Sequence, residues 1–290
     1  MPAKPKPRIT IVGAGNLAHA LAAQLHRSGY AIDQIVARGP KSSLVRARSL
    51  ARAVGATATV AARARFRAEV IWLCVPDRAI AEAAESLAHA ADWKGRVALH
   101  SSGALTSDEL AVLREKGAAV ASVHPLMTFV HGSHASLAQV PFAVEGDTRA
   151  ARSARAIIKD LKGRAFSIRK EKKAAYHAWG MFASPLLCAL LAATERVALA
   201  AGVKREAARE RMLPILRQTL ANYARLGAPA SFSGPVVRGD VATVQKHLKV
   251  LRGVPGAREV YMALARAALH DLPAKKRGAM KRILRDAKNF

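Results

Sequence analysis

The sequence predicts an α/β domain built on a mostly parallel sheet, followed by an all-helical domain. Two observations predict it. Short apolar runs alternate with helix-period segments through the first 169 residues, and no convincing strand pattern follows Lys170. At 290 residues the chain is long enough for two domains that each bury a core. The expected division is 1–169 and 170–290.

The runs Ile9–Val12, Gln34–Ala37, Val70–Val75, Arg96–Leu99 and Ala119–Val123 read as strands between amphipathic segments, the pattern of βαβ units. Two more, Phe142–Glu145 and Ala165–Ile168, flank a helix around Arg149–Leu161 and complete the sheet. After Lys170 a long helix is expected from Glu171 to Ala201, with Gly202 suited to its C-terminus. A second runs from Lys204 to Leu226, with Pro214 placed to kink or divide it. Asp240 is suited to cap a third through Leu251, and Ala257–His270 gives a fourth.

Composition narrows the function classes. An apolar content of 51% excludes a disordered chain, and the two cysteines, Cys74 and Cys188, give neither a disulfide framework nor metal-ligand spacing. Met1–Arg8 is short and basic and lacks the apolar stretch of a secretory signal, so the expected location is the cytoplasm. Ala174–Thr194 contains no Asp, Glu, Lys or Arg and is long enough to span a bilayer, but His177, Gly180, Ser184 and Pro185 within it favour a buried helix over a membrane segment. The net charge of +27 would draw anionic partners, nucleic acid among them. The basic residues are however scattered and not interleaved with aromatics, so a nucleic-acid role is not favoured. Only Lys275–Lys288, with seven Lys or Arg in fourteen residues, forms a cluster.

The strand Ile9–Val12 runs into Gly13-Ala14-Gly15-Asn16-Leu17-Ala18 and then a helical pattern. This is the G-x-G-x-x-A form of the dinucleotide fingerprint of a Rossmann-type domain. Gly13 permits the tight turn, Gly15 lets the backbone approach a pyrophosphate, and Ala18 keeps helix and sheet close. Where NAD-binding chains carry a carboxylate after the second strand, this one has Arg38, with Lys41, Ser42 and Ser43 behind it. A guanidinium there suits the 2′-phosphate of NADP(H).

Ligands of open α/β sheets lie beyond the carboxyl ends of the strands. Three segments there stand out: Val75-Pro76-Asp77, His100-Ser101-Ser102-Gly103 and His124-Pro125-Leu126-Met127-Thr128-Phe129. Val75 and Pro76 are placed to pass the cofactor, while Asp77 reads equally as a helix cap. His124 and Ser102 stand where a nicotinamide and a substrate would meet, and an imidazole titrates near enough to neutrality to exchange a proton. On the long helix Lys173, His177, Gly180 and Ser184 share one face. Arg238, in the turn-rich Gly234–Asp240, has the charge and shape to clasp a carboxylate. His247 follows it in the third helix, buried or facing a site.

Together with Tyr176-His177-Ala178-Trp179-Gly180-Met181-Phe182-Ala183-Ser184 and Ser233-Gly234-Pro235-Val236-Val237-Arg238-Gly239-Asp240, the second segment and the third, extended back through Ser122-Val123, resemble Rossmann-like proteins with a DUF2520 C-terminal domain. That family is similar to pyrroline-5-carboxylate reductase and, further off, to the 6-phosphogluconate and β-hydroxyacid dehydrogenases. The resemblance spans nearly the whole chain. It implies an NADP(H)-dependent oxidoreductase with a helical dimerising domain, acting on a small carbonyl or imine acid, 2-dehydropantoate among the candidates. By analogy with the lysine and asparagine pair of the β-hydroxyacid dehydrogenases, Lys173 would be the acid and His177 its partner. The chain departs from the family pattern at Ser184-Pro185, where many members have Ser-Asn, and the proline is expected to kink the long helix and free a carbonyl near residue 181. That departure leaves open a second reading, a non-catalytic NADP(H) sensor or scaffold.

Overall fold

The computed structural model describes residues 5–37, 41–131 and 136–286. It divides into two compact units, 1–181 and 182–290. The division falls later than 169/170, because Lys173 and Tyr176 are buried against the sheet unit.

The described residues of the first unit form one eight-stranded sheet in the order β3-β2-β1-β4-β5-β6-β7-β8. The strands are β1 (Ile9–Val12), β2 (Ile32–Ala37), β3 (Thr57–Val60), β4 (Val70–Leu73), β5 (Val97–His100), β6 (Ala119–Pro125), β7 (Pro141–Gly146) and β8 (Arg164–Ser167). The first six run parallel, β7 is antiparallel to β6, and β8 is parallel to β7. Helices α1 (Asn16–Arg27), α2 (Lys41–Ala53), α3 (Ile80–Leu87), α4 (Ala111–Glu115) and α5 (Thr148–Asp160) connect them. The pleat splits each strand between two cores. Ile9, Ile11, Trp72, Leu99 and Ala121 meet Leu21, Leu25, Leu50 and Ile157 on one face. Val12, Ile71, Leu73, Ala98 and Val120 meet Ile80, Leu87 and Leu113 on the other. The order in which strands are added reverses between β1 and β4, so their carboxyl ends border the switch-point crevice where such sheets bind ligands.

Every expected strand is present, within a few residues at the ends. Edge strand β3 was not among the expectations: Thr57-Ala58-Thr59-Val60 carries little apolar signal because none of its side chains is buried.

The second unit contains α7 (Pro185–Ala200), α8 (Arg205–Ser231), α9 (Pro235–Arg238), α10 (Val241–Val250), α11 (Ala257–Asp271) and α12 (Arg277–Asp286); α6 (Lys173–Ala183) precedes them. Val244, Leu248, Met262, Ala265, Leu269, Met280 and Leu284 make its main core. Asp240 caps α10, accepting a hydrogen bond from the Thr243 amide at 3.0 Å.

Three expectations about this region meet the structure. The helix 171–201 bends at the kink expected from Pro185, but as a full interruption at Ser184 (φ −132°, ψ −73°), because a residue before proline is pushed out of the helical region, and Pro185 opens α7. Pro214 does not divide α8; the carbonyl freed at Glu210 is on an exposed turn that water can serve, and the non-helical residue is Gly227 (φ 73°, ψ 172°). The apolar segment Lys170–Ala200 is long and apolar enough to cross a membrane, and only 6% of its most apolar window is buried within the chain. The expected buried helix therefore has most of its apolar side chains uncovered.

Candidate active site

The fingerprint residues form the turn between β1 and α1. The Gly13 amide donates to the Val36 carbonyl (2.8 Å) and the Cys74 amide to the Val12 carbonyl (2.7 Å), tying the turn to β2 and to the end of β4. Gly13 has φ +110°, and a Cβ there would stand 2.3 Å from the Cys74 carbonyl oxygen, so only glycine fits. A Cβ at Gly15 would meet no atom within 4 Å. The space above Gly15 is open, and α1 begins there with no side-chain cap and no acidic residue in its first turn. Its first amides and positive dipole end are thus available to a diphosphate, and the turn fits a dinucleotide.

Ala14 and Ala18 are buried beneath this turn, Leu17 is half-buried, and Asn16 donates from Nδ2 to the Phe129 carbonyl at 3.0 Å. Val75 lies against Gly13, and Pro76 is exposed beside it. Arg38, the residue expected to read the 2′-phosphate, lies outside the described residues.

The chemistry-bearing residues collect at the ends of β5 and β6. His100 uses both ring nitrogens: Nε2–H donates to the Thr106 carbonyl (2.9 Å) and Nδ1 accepts from the Ser102 amide (3.1 Å). This pattern demands the neutral ring, and burial pulls its pKa down to about 4. His100 is thus a fixed brace for the Ser101–Thr106 turn. Ser102 is also committed, its hydroxyl donating to Asp77 (2.8 Å) and accepting from the Leu105 amide (2.9 Å). Asp77 is therefore not a helix cap. It holds the β5 loop against the β4 loop.

Lys173 is 1% exposed. Its ammonium donates to the Ser102 carbonyl (3.0 Å) and to Ser122 Oγ (2.6 Å), and Ser122 Oγ donates in turn to the same carbonyl (3.0 Å). Burial lowers the lysine pKa to about 8, against the opposing pull of Glu145 and Asp77. His124, at the end of β6, shares a 2.7 Å hydrogen bond between Nδ1 and the Tyr176 hydroxyl. Burial first, then the positive charge of Lys173, lowers the His124 pKa to about 4. A Cβ on Gly103 would come within 2.8 Å of the His177 ring and 2.9 Å of His124 Nε2, so this glycine leaves room where the two imidazoles converge.

The structure thus brings Lys173, Ser102, His124 and His177 together. Arg238 and His247 belong to the second unit, Arg238 at the end of α9 and His247 bonded through Nδ1 to the Tyr261 hydroxyl at 3.2 Å. Sequence reasoning passed over Ser122 and Tyr176. Tyr176 stands three residues after Lys173 on the same helix face, a spacing that marks it as a neighbour. Ser122 is an inward-facing position of a buried strand, where a hydroxyl is an exception that invites the question of its partner.

Residues 140–268 match the family model described as a domain of unknown function, DUF2520. That stretch is thus similar to the domain whose family the sequence motifs resemble. Residues 8–99, which carry the fingerprint turn, match the family described as NADP oxidoreductase, coenzyme F420-dependent. Among solved structures, the chain is similar to a protein described as an NADP oxidoreductase from Bacteroides fragilis (24% identity, 90% of this chain and 97% of that one, TM-score 0.76). It is also similar to a protein from Thermotoga maritima (26% identity, 94% and 98%, TM-score 0.70). An imine reductase from Myxococcus stipitatus in complex with NADP+ shares the fold (16% identity, 96% and 100%, TM-score 0.65). No curated protein matches the chain.

Proposed function

We propose that the protein is an NADP(H)-dependent reductase of a small carbonyl or imine acid. The observation that carries this reading is the buried Lys173 ammonium, fixed at the ends of β5 and β6 beside the His124–Tyr176 pair, in the same unit as the fingerprint turn. An imine is favoured over 2-dehydropantoate, because imine reductases share the fold over nearly the whole chain.

In this reading Gly13 to Leu17 hold the diphosphate, Val75 and Pro76 border the ribose, and Arg38 selects NADP(H). The bound cofactor supplies the hydride. Tyr176 donates to His124 Nδ1, which places the remaining ring proton of the neutral imidazole on Nε2, toward the space left by Gly103. That N–H and His177 orient the reacting oxygen or nitrogen. Lys173 is the acid: it is protonated at neutral pH, its lowered pKa eases proton release, and two of its three N–H groups are held by Ser122 and Ser102. Arg238 is the residue proposed for the substrate carboxylate.

A Lys173→Ala, His177→Ala double variant that folds should lose at least about a hundredfold in kcat/KM while retaining NADPH binding. Undiminished activity would remove the assignment, and NADPH binding without turnover in the unaltered protein would establish the sensor reading. We also propose a homodimer formed through the second unit, where Leu186, Leu213, Ile215, Leu220 and Tyr223 are exposed apolar side chains on α7 and α8. Light scattering should give twice the chain mass, and Ile215→Glu with Leu220→Glu should halve it.

A further inference from the structure

We propose that Glu145, on β7, is the positioning residue behind Lys173: a buried carboxylate, braced by Ser107, whose negative charge keeps the lysine protonated and sets the alkaline limit of the reaction. The inference rests on Lys173 being the acid. Sheet register places the two groups together. Glu145 stands directly opposite Ser122 in the antiparallel β6–β7 ladder, so both side chains leave the same face of the sheet at the short cross-strand spacing. Ser122 Oγ is the group that accepts from the Lys173 ammonium at 2.6 Å. Lys173, Ser122, Ser107 and Glu145 are all buried, Glu145 being the most exposed of them at 6%.

The carboxylate is fixed in place. Its Oε2 accepts from the Ser107 amide (2.9 Å) and its Oε1 from the Ser107 hydroxyl (2.7 Å). Arg114 donates to that hydroxyl oxygen (3.3 Å), which turns the hydroxyl proton toward Glu145. Arg114 is itself paired with Asp108 and Asp147, and among the described residues no cation makes an ion pair with Glu145 or any anion with Lys173. A buried charge is costly without an opposite one, so each of the two, one serine apart, compensates the other. Lys173 is faced by Asp77 from the loop after β4, by His100 and Ser102 from the end of β5, by Ser122 and His124 from β6 and by Glu145 from β7, with Tyr176 and His177 on its own helix. His100 and His124 are neutral above about 4. The compensating charges are therefore the two carboxylates. Burial lowers the lysine to about 8, and Glu145 opposes that fall more strongly than Asp77.

The test is the pH titration of the Lys173 side chain in the full chain, followed through the Cε carbon NMR signal of lysine-labelled protein and assigned through Lys173→Met. The midpoint should lie near 8 in the parent and at least about one pH unit lower in Glu145→Gln, which keeps the shape of the side chain and removes its charge. Ser107→Ala, which keeps the charge, should move the midpoint less. The variant-to-parent ratio of kcat/KM for Glu145→Gln should fall about fivefold between pH 6 and pH 8, the change in protonated fraction for a shift of about one pH unit from 8. A merely structural loss would lower both alike. Should Glu145→Gln fail to fold, it is combined with Lys173→Met, which leaves no stranded ammonium. Recovery of folding in the double variant is then expected, and failure there too would make Glu145 structural and overturn the proposal. An unmoved midpoint in Glu145→Gln, or an equal fall in Ser107→Ala, also overturns it. A midpoint that moves while the kcat/KM limb stays bears out Glu145 as the counter-charge and overturns Lys173 as the acid, so the two readings fail separately.

Discussion

Replacing Lys173 by methionine keeps the length of the side chain and removes its charge. The pKa of Lys173 falls from 10.5 to about 8 because the ammonium is buried. At neutral pH the protonated lysine therefore costs the fold about 3 kcal/mol relative to a neutral amine, at about 1.4 kcal/mol per pH unit. Methionine removes that cost but leaves the Ser102 carbonyl and Ser122 hydroxyl without their charged donor, a loss of about 1–3 kcal/mol, moderated because Ser122 still donates to the carbonyl. The two nearly cancel, so Lys173→Met should fold with a stability within about 2 kcal/mol of the unaltered protein at pH 7. Between pH 8 and 10.5 the native protein gives up the Lys173 proton while the unfolded chain keeps it, so the lysine protein gains stability as pH rises. By pH 10 it should gain about 2–3 kcal/mol relative to Lys173→Met. Urea unfolding at both pH values, followed through the fluorescence of Trp72 and Trp93, both buried in the first unit, measures the difference directly. A variant-to-parent difference that is the same at both pH values would refute the buried, partly neutralised lysine.

Gly15→Ala should leave the melting temperature unchanged within a degree or two, because its Cβ meets nothing, and should weaken NADPH binding at least about tenfold by filling the space reserved for the diphosphate; equal affinity in a titration would place the nucleotide elsewhere. His100→Phe strands the Thr106 carbonyl and the Ser102 amide and should cost about 2–4 kcal/mol in urea unfolding; a smaller loss would show that His100 is not a brace. The pH profile of kcat/KM should fall as pH rises through about 8, where Lys173 loses its proton. Neither His124 nor His100 should contribute a limb between pH 5 and 7, since both titrate near 4. A limb near 6.5 would assign the proton transfer to an unperturbed histidine.

The sheet was legible because its strands are buried on both faces: Ile9, Ile11, Val12, Ile71, Trp72 and Leu73 make unbroken apolar runs that no surface segment imitates. The edge strand β3, unburied, left no such trace. Gly13 and Gly15 announced the nucleotide turn because chain geometry and close approach admit few other residues. Lys173 was visible through helix spacing, but its partners were not. A hydroxyl such as Ser122 acquires meaning only when β6 brings it against α6, a contact between residues 51 apart in sequence. His100 shows the opposite error: a histidine at a strand end suggests chemistry, and only the two bonds to Thr106 and Ser102 reveal it as structural. Apolarity in 174–194 did not translate into burial, because the side chains of α6 and α7 there are largely uncovered.

The most direct measurement of the central claim is a titration of the purified protein with NADPH, followed by addition of a cyclic imine and a 2-oxo acid while NADPH absorbance is recorded. Saturable NADPH binding, weakened in Gly15→Ala, with cofactor oxidation on addition of one of these substrates, is the predicted result. Failure to bind NADPH would contradict the account at its base.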